Sequence, residues 1–154
     1  MAGAMAESLK RQFAEAFGVL SGAIPKFTEE QWRSGRSPYD GPARATLHAL
    51  QAAEFYTCQD SSIFGAGRFG PPVWEMTDAD LPTQEQMVGY LHENRAKTDR
   101  WIERLDEQGL DQPTDEKGTL ALERITYAIR HLQHHTGEVC CWQKQFDHDQ
   151  NQWV

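Results

Sequence analysis

Cysteine is scarce in this chain: three among 154 residues, at Cys58, Cys140 and Cys141. The number is odd and two are neighbours, where a disulfide within a helix would be strained, so a disulfide-framed secreted scaffold is excluded and a reducing cytoplasm is the expected setting. Long apolar runs are missing too. None approaches the ~20 residues of a membrane-spanning helix. Positive charge is the minority sign, with 15 Lys and Arg against 23 Asp and Glu and a formal net charge of −8, and no basic stretch gathers it locally. Such a chain repels phosphate backbones and anionic bilayers, so neither nucleic acid nor a membrane is an expected partner. The stretch from Met1 to Ile24 carries Glu7 and Glu15 within its apolar pattern, unlike a signal or transit peptide, and reads as a first helix. Strand-like alternation, internal repeats and low-complexity segments are also missing. So are the His-Glu-x-x-His, glycine-rich phosphate-loop and Gly-x-Ser-x-Gly patterns.

What is present, 39% hydrophobic and 25% charged residues, fits one globular domain over residues 1–154, large enough to bury roughly 68–70% of its unfolded surface. Four long helices are predicted. The first runs from about Ala4 to Leu20 on Leu9, Phe13, Phe17 and Leu20, with Gly22 and Pro25 ending it. A polar stretch from Thr28 to Gly41 follows. The second helix opens at Pro42, a residue suited to the first helical position, and reaches about Cys58. A long connection, Gln59 to Pro82, includes Phe64-Gly65-Ala66-Gly67. Its Phe64, Phe69 and Trp74 imply that it packs down, and its length suits a functional or partner surface. Thr83 and Gln86 form a capping box for the third helix, which carries Met87, Tyr90 or Leu91, Asn94, Thr98, Trp101 or Ile102, and Leu105 inward to about Glu107. The fourth spans about Thr119 to Phe146 on Ala121, Ile125, Ala128, Leu132, His135, Val139, Trp142 and Phe146. The fold class is therefore all-α, a four-helix bundle with long connections.

Three of the six histidines cluster late in the fourth helix. His131 and His135, four residues apart, stand on one face and can aim imidazole nitrogens at a single ion. His135 belongs to the apolar stripe, where an imidazole needs a metal or hydrogen-bond partners to offset its lost hydration. His48, mid-way along the second helix, supplies a third inward ligand. Three imidazoles leave a coordination position open, as a catalytic metal requires, and they suit divalent zinc, nickel, iron or copper. A di-iron centre is not expected, because no Glu stands three residues before any of the three.

The run His131-Leu132-Gln133-His134-His135-Thr136-Gly137-Glu138 resembles the pattern of the DinB/YfiT-like family: His, three residues, His, one variable residue, Gly and Gln. Gly41 to His48 is similar, more loosely, to that family's entry into its second helix. The resemblance covers nearly the whole chain and implies a four-helix bundle with one metal on His48, His131 and His135. It further implies, by analogy with some relatives, a metal-dependent transferase acting on a low-molecular-weight thiol. Glu138 departs from the pattern, where Gln is usual. It can be a carboxylate orienting an imidazole, a fourth ligand that closes the site, or a solvated surface residue.

His134 points about 100° away from the pair and reads as a polar neighbour. His92 is expected on the solvent side of the third helix, and His148 in a mobile tail from Asp147 to Val154. Cys58, Cys140 and Cys141 read as buried apolar filling rather than as soft ligands or a redox pair. Trp32, Tyr39, Tyr56, Trp74 and Trp101 read as core or loop anchors. Arg44, one turn before His48, either reaches the mouth of the site, where its fork would hold a small anion, or forms a surface ion pair. Two functions follow. One is a metalloenzyme turning a small-molecule substrate, by thiol transfer or hydrolysis. The other is a non-catalytic bundle, with a structural metal or none, serving ligand binding or assembly as a homodimer.

Overall fold

In a computed structural model, which describes residues 3–36, 39–64 and 68–149, the chain is all-α. Helix α1 spans Ala4–Ala23, α2 Glu29–Arg33, α3 Pro42–Cys58, α4 Gln84–Gln108 and α5 Ala121–Gln145. Among the described residues there is no strand, only an isolated bridge between Pro113 and Leu120 in the α4–α5 connection. No helix there is long and apolar enough to cross a membrane.

The inward stripes of the four long helices are largely buried as their periodicity predicts, with Phe13, Phe17, Leu20, Leu47, Ile102 and Ile125 fully enclosed, while Trp142 and Phe146 at the end of the last stripe are half-buried. Helix α1 runs past its expected end. Gly22 is carried within it, and Pro25 sits in the following 3-10 turn Ile24–Lys26, whose first positions need no backbone donor. Each long helix packs on two others: α3 on α5 and α4, and α1 on α4 and α5. Helix α3 is thus shared between two seams, and both matter below.

The polar stretch before α3 holds the short helix α2, which the periodicity does not reveal because five residues carry no repeat. Thr28 and Gln31 cap it reciprocally. Trp32 is fully buried and its indole N–H donates to the Pro82 carbonyl at 2.9 Å, which ties α2 to the entry of α4. Gly41 starts α3 at φ +105°, and a Cβ there would lie 2.0 Å from the Ser34 carbonyl oxygen. Only glycine fits that approach.

Three expectations are corrected here. Arg44 does not reach the mouth of the histidine site; it forms the expected ion pair, with the exposed Asp78, but from a buried position. It is 3% exposed, and its guanidinium donates to the carbonyls of Val73 (3.2 Å) and Met76 (2.9 Å) and to Asp78 Oδ1 (3.0 Å). It therefore straps the 59–82 connection onto α3. That connection also buries Val73, Met76 and Leu81, while Phe64 and Phe69 are half-buried. Trp74, in contrast, stays 45% exposed, and Gly65-Ala66-Gly67 lie outside the described residues. The C-terminal end is seated as far as residue 149. His148 donates from Nε2 to Gln31 Oε1 at 2.8 Å and stands edge-on to Phe27. The rest of the expected mobile tail, 150–154, lies outside the described residues.

Candidate metal centre

Helix α5 presents His131 and His135 one turn apart, and α3 brings His48 against them across their shared seam. The ring centroids are 5.2 Å apart for His48–His131, 4.7 Å for His48–His135 and 4.6 Å for His131–His135. One ligand nitrogen from each ring lies within 4.8 Å of the others. A tetrahedral ion at about 2.0–2.1 Å from each would set them about 3.3 Å apart, so small side-chain rotations suffice.

His48 and His131 are half-buried and find no hydrogen-bond partner among the described residues, while His135 is buried. Burial, reinforced by the neighbouring imidazoles, lowers both the His48 and the His131 pKa to about 4. At neutral pH these rings are uncharged and keep a lone pair for a cation. Helix α5 also fixes the third ring. His135 Nδ1–H donates to the Glu138 carboxylate oxygen Oε2 at 2.6 Å, which makes Nε2 the ring atom available for a ligand bond. Of the three roles open to Glu138, the geometry gives it the orienting one.

His134 is largely exposed, with Nε2 3.3 Å from Glu138 Oε1. It behaves as a polar neighbour, though His134, His135 and Glu138 also place ligand atoms within 4.8 Å of one another. That second grouping lies on the exposed flank of one helix, where water satisfies the same atoms. The grouping of His48, His131 and His135 joins two helices and withdraws two rings from polar partners. Of the two groupings it is the one whose rings lack other polar partners among the described residues, so it could hold a cation at less cost.

An aromatic wall surrounds the histidines, and the sequence reading missed it as such. The Tyr39 ring is 4.4 Å from His48, and Phe64 is 6.5 Å away. Tyr56 and Tyr127 lie 6.1 and 6.2 Å from His131 and 5.3 Å from each other. Burial and a hydrogen bond with Tyr127 raise the Tyr56 phenol pKa above its ordinary value. Tyr127 was findable, because it precedes His131 by the same four residues that separate His131 from His135. Beside this wall opens a cavity of about 610 Å³ lined by Phe55, Tyr56, Tyr127 and Arg124 among others.

Trp32 and Trp101 are core residues as expected. The cysteines are not buried filling: Cys58 and Cys141 are exposed and Cys140 half-buried, all as free thiols. Burial, with Cys141 beside it, raises the Cys140 thiol pKa. No cysteine joins either grouping, and His92 is exposed on α4. In comparisons with known proteins the chain matches no family model, no curated protein and no solved structure.

Proposed function

We propose that the chain is a four-helix bundle of DinB/YfiT-like type, with α2 as an accessory turn, that binds one divalent metal ion through His48, His131 and His135. The supporting observation is the convergence of three imidazoles from two helices, two of them without polar partners among the described residues, with the third held by Glu138. Three neutral ligands leave the full ionic charge and at least one coordination position for water or substrate. An ion of this kind lowers the pKa of bound water towards ~7 and keeps a coordinated thiol as thiolate.

The function that best suits this site is metal-dependent chemistry on a small molecule: transfer of a low-molecular-weight thiol to an electrophile, or hydrolysis. The chain's own contribution is spatial. Tyr39 and Phe64 flank His48, while Tyr56 and Tyr127 flank His131, which narrows the approach and limits bulk water. The cavity on the far side of Tyr56 and Tyr127 gives a substrate body room next to this aromatic wall.

Cobalt substitution tests this reading directly. The Co²⁺-loaded protein should show the visible bands of a four- or five-coordinate ion, and added β-mercaptoethanol should produce a sulfur-to-cobalt charge-transfer band. Visible bands that the thiol leaves unchanged would count against an open site. A protein that takes up no cobalt would remove the reading altogether.

A further inference from the structure

Away from the histidines, the end of α3 is surrounded by positive charge, in a chain whose net charge is −8. Lys97, Arg100 and Arg104 stand at spacings of three and four on α4 and so share one face, and Arg124 reaches in from α5. Two adjoining cavities form a recess there. One, of about 550 Å³, is lined by Arg104 and Arg124 with Gln59 and Gln108. The other, of about 210 Å³, is lined by Lys97, Arg100 and Arg104. Thr57, Cys58, Trp101 and Arg104 line both.

The charge of this recess is not balanced from within. Its lining includes a single carboxylate, Glu54, which is already engaged by Lys97 and by the Tyr90 hydroxyl. Arg124 donates to the Tyr56 carbonyl and, with the Gln59 amide turned over, to its oxygen, its guanidinium lies 5.4 Å from the Trp101 ring centroid, and Asp115 on its far side from the recess offsets part of its charge. Arg100 and Arg104 have neither a carboxylate nor a hydrogen-bond partner among the described residues. The negative end of the α3 dipole accounts for one cation, and Arg124 fills that role at Tyr56. Two further arginines placed four apart repel each other on the helix surface, so their charge answers to something outside the protein.

We propose that this recess binds a multiply charged oxyanion, a phosphoryl or polycarboxylate group, held by Arg100, Arg104 and Arg124. Guanidinium forks match such groups with paired, charge-assisted hydrogen bonds. The recess is larger than one inorganic ion needs, so it has room for an organic molecule that carries the group. Arg124 lies seven residues from His131, about 10 Å of helix rise, so the oxyanion does not sit on the histidines.

The test uses the full-length protein stripped of metal, titrated calorimetrically at low salt with pyrophosphate and, separately, with citrate. At least one should bind with a Kd below about 1 mM, and Arg100→Gln/Arg104→Gln should weaken it at least about tenfold. Binding of pyrophosphate alone points to a phosphoryl source, and binding of citrate alone to a polycarboxylate. Lys144→Gln, a cation elsewhere on α5, and His135→Ala should leave the affinity unchanged. No binding of either probe at millimolar concentration would overturn the proposal, and so would binding that the double arginine variant retains. Because no metal is present, neither result depends on the histidine site.

Discussion

Helix α3 offers polar side chains to two seams, and the protein treats them differently. Against α4, Glu54 is closed in by its neighbours. It accepts from the Tyr90 hydroxyl at 2.5 Å and pairs with Lys97. Burial alone would raise its pKa, but these hydrogen bonds bring it below the ordinary carboxylate range, and burial with the Glu54 contact raises that of the Tyr90 phenol. Against α5, His48 and His131 are half-buried with no polar partner among the described residues, and only His135 is tied, to Glu138. A polar cluster that satisfies itself holds a fold together. One left open is a place for a ligand.

Exchanging one residue on each side separates the two behaviours. His48→Ala should abolish metal binding, and with it the thermal stabilisation a metal at 100 times its Kd supplies, about 2.7 kcal/mol or about 5–10 °C for a domain of this size. The metal-free variant should lose less than about 1 kcal/mol, since no hydrogen bond is broken. Glu54→Ala should do the reverse. It leaves Lys97 and Tyr90 unpaired at a cost of about 2 kcal/mol, read by urea denaturation, while metal uptake stays at the wild-type level. If Glu54→Ala removed the metal, or His48→Ala unfolded the metal-free chain, the contrast between the seams would fail.

A finer cut lies within the α5 seam. Glu138→Ala should weaken metal binding about 10–100-fold by freeing the His135 ring. Glu138→Gln should recover part of that, because an amide oxygen still accepts from Nδ1–H. His134→Ala should change nothing measurable. The opposite order, with His134 essential, would place the ion on the exposed His134–His135–Glu138 flank.

A separate effect lies on the acid side of the metal-free protein. His48 and His131 have folded pKa values near 4, below the unfolded value of 6.5. Between those values the unfolded chain binds more protons than the folded one, so stability should fall as pH drops from 6.5 towards 4 and level off below. His48→Ala should flatten that slope in pH-dependent denaturation. An unaltered slope would mean that the ring is not held neutral by its surroundings.

Much of the framework was legible in the sequence, because long amphipathic helices repeat the same signal many times. Helix α3 has the predicted bounds, and the Thr83–Gln86 box opens α4. His48, His131 and His135 meet because two of them share a helical face and the third faces them from the adjacent helix. Features with no period were not legible. Helix α2 is one turn, and the Arg44 strap depends on where a loop 29 to 34 residues later comes to rest. The Glu54 cluster joins residues up to 43 positions apart. The cysteines were misplaced because a small apolar side chain gives no indication of which face of a helix end it occupies.

The central claim is that the open cluster holds a metal. Protein purified without a histidine tag or chelator should be assayed by plasma mass spectrometry beside His135→Ala. About one equivalent of divalent metal per chain, lost in the variant, is the expected result. No metal after reloading with zinc and nickel, or one equivalent retained by His135→Ala, would contradict it.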